Sequence, residues 1–139
     1  MTDADPDHPE ILISDRQSAP VDEEALIALG HEVLAGEGVR HGELSVSLVT
    51  PEEMADLHAR YMGEEGPTDV LSFPQDGDAG LLGDVVICPA EAEHNNPDLE
   101  AEIKLLLVHG ILHLLGYDHE DEADRAQMWA RQEHYVGTR

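Results

Sequence analysis

The stretch His109-Gly110-Ile111-Leu112-His113-Leu114-Leu115-Gly116-Tyr117-Asp118-His119 decides how this chain is read. It holds three of the nine histidines within eleven residues. His109 and His113 are four apart, so on a helix they stand one turn above each other on the same face. Gly116 can take the left-handed conformation that ends a helix, and the turn Tyr117-Asp118 can then return His119 toward the first two. Upstream, from about Asp98, the residues Ile103, Leu105, Leu106, Leu107, Val108, Ile111, Leu112, Leu114 and Leu115 cover nearly every direction around the axis. A helix apolar all round is buried on most sides, so this one is expected at the centre of the core.

Histidines on such a helix are costly unless their ring nitrogens find partners. One reading makes His109 and His113 core residues bonded to backbone, with His119 in an acidic surface turn. The other makes all three zinc ligands with no fourth protein ligand, the open arrangement of a catalytic zinc. The spacing H-x-x-x-H-x-x-G-x-x-H favours the metal, because metzincin proteases hold zinc with H-E-x-x-H-x-x-G-x-x-H. Those proteases carry their general base directly after the first histidine, where this chain has Gly110, which argues against a peptidase of that kind. Three neutral imidazoles leave the ion its double charge, favouring a bound water of pKa near ~7. A substrate that brings its own nucleophile suits such a site, and a ribose 2′-hydroxyl beside a phosphodiester is one.

Working outward, 139 residues with 41% hydrophobic content predict one globular domain over 1–139, with 1–9 a flexible tail. No apolar run approaches the ~18 residues of a membrane span. The acidic N-terminus lacks the layout of a signal peptide, and a single cysteine, Cys88, fits a reducing cytoplasm and a buried strand position. Strands are expected at Ile11–Ile13, Glu43–Thr50, Thr68–Pro74 and Leu82–Cys88. Helices are expected from Asp22 to the Gly36/Gly38 pair, from Thr50-Pro51 to Gly63, from about Asp98 to Leu115, and from about Asp121 to Tyr135. Gln75–Gly80 reads as a polar loop and Ala90–Pro97 as a connector. Trp129, beside Met128 on the last helix, reads as core. The fold class is α+β: a small mixed four-stranded sheet packed with four to five helices around a buried helix carrying the motif.

Charge is the compositional outlier. Thirty-one acidic residues face seven basic ones, a formal charge of −24. Such a surface repels itself at low salt and is tolerated where the Debye length shrinks to ~3 Å near molar salt, so a halophile-type surface is expected, the alternatives being a strongly basic partner or simply a solvated surface. It lacks the basic footprint normal to nucleic-acid binders. In a salt-rich cell that footprint would contribute little, since attraction to phosphates falls steeply with salt.

Three blocks carry a resemblance to a known family: His109 to His119, Pro67-Thr68-Asp69-Val70-Leu71-Ser72-Phe73-Pro74, and Leu82-Gly83-Asp84-Val85-Val86-Ile87. Together they resemble the signature of the YbeY endoribonucleases, in the family's order, from about Leu57 to Glu120. The resemblance implies one Zn2+ on His109, His113 and His119. It further implies a cytoplasmic, metal-dependent endoribonuclease that cuts single-stranded ribosomal RNA, matures the small-subunit 3′ end, supports ribosome quality control and meets the small subunit or its proteins. Where family members often carry an arginine before the glycine that precedes the P-T-D-V block, this chain has Met62. Arg60, two residues away, and Asp84 are the candidate catalytic side chains. The alternatives are a ribosome-assembly factor whose zinc is structural, or a zinc hydrolase for another substrate.

Overall fold

Short polar residues start the four longer helices, and a glycine lies at or just past the end of each. In the computed structural model, which describes residues 9–75, 81–117 and 121–137, the elements run β1 (Glu10–Asp15), α1 (Glu23–Gly36), β2 (Glu43–Leu48), α2 (Pro51–Met62), β3 (Val70–Pro74), β4 (Leu81–Ile87), α3 (Pro89–Ala92), α4 (Leu99–Leu114) and α5 (Glu122–Val136). The side chains of Asp22, Thr50, Asp98 and Asp121 each accept a first-turn N–H of the helix that follows, satisfying donors the helix itself cannot. Gly63 closes α2 at φ 69°, a left-handed conformation that glycine adopts without strain.

The sheet is mixed, in the order β1-β2-β4-β3, with β1 and β2 parallel, β2 and β4 parallel, and β3 antiparallel to β4. Alternation along the strands sorts its two faces. Leu44, Val46, Leu48, Val85 and Ile87 join the larger core with α1, α4 and α5. On the other face Leu71, Val86 and Cys88 pack against Val49 and Met54 in a smaller cluster under α2. As its composition requires, α4 is buried along most of its length, with Ile103, Leu106, Leu107, Val108, Ile111 and Leu112 each at 6% exposure or less. The α+β class, the four strands and the buried motif helix all match expectation.

Three local expectations change. The connector at Ala90–Pro97 includes most of α3, a single turn too short to show a period. Pro9, assigned to the tail, is buried, and its carbonyl oxygen lies 2.9 Å from His31 Nε2. Trp129 is 46% exposed while Met128 is fully buried, because neighbours on a helix point about 100° apart. Most of the expected tail (1–8) and of the polar loop (76–80), together with Asp118 and His119, lie outside the described residues.

Candidate functional site

Gly110 is where α4 comes closest to the sheet. A Cβ built there would sit 2.6 Å from Val85 Cγ1 and 3.2 Å from Ser72 Oγ, and the Ser72 hydroxyl donates to the Gly110 carbonyl at 3.2 Å. Seating Gly110 on the strands turns the flanking positions His109 and His113 toward the edge of the sheet. Both rings line a cleft of about 370 Å³, together with Val70, Ser72 and Pro74 of the edge strand β3 and Met62 at the end of α2. Their centroids are 4.6 Å apart and their planes 75° apart.

One ring nitrogen of His109 is committed. Its Nδ1 lies 2.7 Å from Oε1 of Gln132 on α5, a side chain 8% exposed. An amide oxygen only accepts, so Nδ1 carries the proton, and in the neutral ring the lone pair is on Nε2. That is the tautomer a metal ligand needs, held by the kind of outer hydrogen bond that orients ligating histidines. The donor chemistry therefore fits zinc at these two residues. Among the described residues no three histidine, cysteine or acidic side chains gather around one point. His119, third in the expected set, lies outside them, as does Asp118.

The turn leading toward His119 is anchored at Tyr117. Gly116 has φ 103° and bonds its N–H to the His113 carbonyl. The Tyr117 hydroxyl donates to Glu37 Oε1 at 2.6 Å. The Glu37 carboxylate also receives the Tyr135 hydroxyl at 2.6 Å and the Arg131 guanidinium at 2.9 and 2.6 Å. Burial pushes the Glu37 carboxyl upward, but these donors outweigh it and hold it below the usual carboxylate range. The Tyr135 hydroxyl is pushed up to about 12 by burial and by its bond to Glu37. Tyr117, whose ring packs against the larger core, is thus also a hydrogen-bonding member of a cluster joining the end of α1, the α4 turn and α5.

The other candidates are not brought to the histidines. Arg60 pairs with Asp56 at 3.0 Å on the outer side of α2, and the side chain facing the cleft from that helix is Met62, some 200° away around the axis. Asp84 stands opposite Ser45 and Phe73 in register, on the sheet face turned away from α4. Gln132 was missed in the sequence because one amide on an amphipathic helix gives no signal until α5 is docked.

An α+β chain with a buried helix presenting two histidines to a cleft at a sheet edge is the class that fold and site define. Comparison with known proteins makes it specific. Residues 12–138 match the family model for Endoribonuclease YbeY. An Endoribonuclease YbeY from Frankia casuarinae is 50% identical over 130 residues, spanning 81% of this chain and 65% of that protein. Another from Thermobifida fusca is 45% identical over 137 residues, spanning 88% of each. The solution structure of TM1509 from Thermotoga maritima superposes with a TM-score of 0.59 at 30% identity, covering 92% of this chain and 86% of that one. The chain belongs to the YbeY endoribonuclease family.

Proposed function

We propose that this chain is a zinc-dependent endoribonuclease that cuts single-stranded RNA and matures ribosomal RNA at the small-subunit 3′ end, in the cytoplasm and within ribosome quality control. One zinc would be held by His109, His113 and His119. The supporting observation is the bond from His109 Nδ1 to the buried Gln132 Oε1, in the wall of a cleft that His113 also lines. When bound, zinc supplies Lewis-acid chemistry to a phosphodiester oxygen or a water. The protein's own groups orient the ligands: Gln132 sets the His109 tautomer, Gly110 seats the helix, and the Glu37 cluster holds the turn. The close approach at Gly110 leaves no room for a glutamate general base, which favours a substrate bringing its own hydroxyl over a peptide.

Among the described residues neither Arg nor Lys lines the cleft. The substrate's charge would therefore be met chiefly by the metal, and we assign no step to Arg60 or Asp84. A second reading, an assembly factor of the small subunit with a structural zinc, draws support from the charge of −24, which disfavours RNA at low salt. Cleavage of single-stranded ribosomal RNA fragments by wild type and His113→Ala, at low and molar salt, separates the two. The enzyme reading expects cleavage by wild type, strongest at high salt, and loss in a variant that still folds. No cleavage at any salt, with zinc bound, selects the assembly factor.

A further inference from the structure

Next to the histidine cleft lies a second groove of about 440 Å³ that shares Val70 and His109 with it. Trp129 stands on its wall, 46% exposed, its ring centroid 6.2 Å from that of His109. Leu105, Leu106 and Val136 supply apolar lining. Two carboxylates also line it: Glu133, one helical turn beyond Trp129, and Asp69, which accepts from Asn95 Nδ2 at 2.9 Å.

This combination suits one part of a nucleic acid and rejects another. Carboxylates repel a phosphate, but they accept hydrogen bonds from the exocyclic amino group of a base. An exposed indole offers a face on which any unpaired base can stack, worth about 1–3 kcal/mol per base. We propose that this groove is a nucleobase subsite: an unpaired base bearing an exocyclic amino group lies against Trp129 with its polar edge toward Glu133 and Asp69. The neighbouring phosphodiester then falls at His109 and His113. A base inside a duplex has neither its faces nor its pairing edge available, so the subsite selects single strands. It also explains how so acidic a chain binds RNA, through stacking rather than through a basic patch. This subsite rests on the nuclease reading and names the part of the substrate that the site grips.

Trp129 is the only tryptophan, so its emission reports this groove alone. The zinc-loaded protein is titrated at molar salt with a short 2′-O-methyl RNA, which binds but cannot be cleaved through its 2′-oxygen. Binding is followed in parallel by the anisotropy of an end label. Saturable quenching by an adenosine or cytidine strand, weaker quenching by a uridine strand, and none by a fully paired duplex are expected. On cleavable RNA, Trp129→Ala should raise KM by roughly 5- to 150-fold with kcat and zinc content unchanged, and Trp129→Phe should recover much of the loss. Oligonucleotide binding without any change in emission, no binding at all, or an unchanged KM in Trp129→Ala overturns the subsite. Cleavage with unchanged KM leaves the nuclease reading standing without it. Quenching by a protein that cleaves nothing leaves the subsite standing and removes the nuclease.

Discussion

Helix α5 holds the motif segment at two places, once directly and once through Glu37, and the two grips work differently. At Gln132 it makes a neutral hydrogen bond to His109 at the wall of the cleft. On a neighbouring face of α5, Arg131 and Tyr135 join Tyr117 around the Glu37 carboxylate, whose side chain is 7% exposed. The first grip sets which ring nitrogen of a histidine carries a proton. The second sets where the chain goes after Gly116. A neutral contact can tune a ligand without adding charge beside it, whereas a charged cluster ties distant segments together and brings a pH dependence.

Removing the carboxylate should do the most damage. Glu37→Ala leaves two tyrosine hydroxyls and a guanidinium around an empty space, and loss of the two charge-assisted tyrosine bonds should cost about 2–4 kcal/mol in urea unfolding. A loss below about 0.5 kcal/mol would show that the cluster does not hold the turn. Glu37 is held below its ordinary pKa, so its stabilisation is complete above the unfolded carboxylate range of ~4 and is lost as pH falls through the lower folded value. Tyr135 is raised to about 12, so its share is complete below the unfolded value of ~10 and disappears as pH climbs from there toward about 12. Melting temperatures across pH should fall at both ends in wild type. In Glu37→Gln the acid limb should be shallower.

Gly110→Ala comes next. A methyl group pressed against the stiff, buried Val85 should cost about 1–3 kcal/mol, read in the same unfolding series. Gln132→Leu should change stability less and chemistry more. Zinc affinity, measured against a chelator, should drop by roughly 10- to 100-fold, with Gln132→Glu close to wild type. In the metal-free protein, 15N NMR should find the His109 proton on Nδ1, and Gln132→Leu should lose that preference. Finding the proton on Nε2 in wild type would remove the first grip from the comparison altogether. The smallest effect belongs to the charge. If the acidic surface is halophile-type, added salt should raise the melting temperature steadily toward molar concentrations, and equal stability without salt would refute it.

Much of the fold was legible because its signals are local. Thr50-Pro51 and Gly63 bound α2, Asp22 and Asp98 mark helix starts, and the alternation of Leu44, Val46 and Leu48 marks β2. The His109 and His113 pair was legible for the same reason, since its spacing is one helical turn. What stayed hidden depends on long-range docking. Glu37 meets its two tyrosines across 80 and 98 residues, and Gln132 meets His109 across 23. The exposure of Trp129 could not be told from an apolar pair with Met128 until the rotation of α5 against α4 was known. The side assigned to Asp84 needed the register of three strands.

The most direct measurement is the zinc content of the purified full chain and of His109→Ala, His113→Ala and His119→Ala, each checked for folding by circular dichroism. One zinc per wild-type chain, lost or bound far more weakly in all three folded variants, is the expected result. Full retention of zinc in folded His109→Ala or His113→Ala would contradict a site built on this helix.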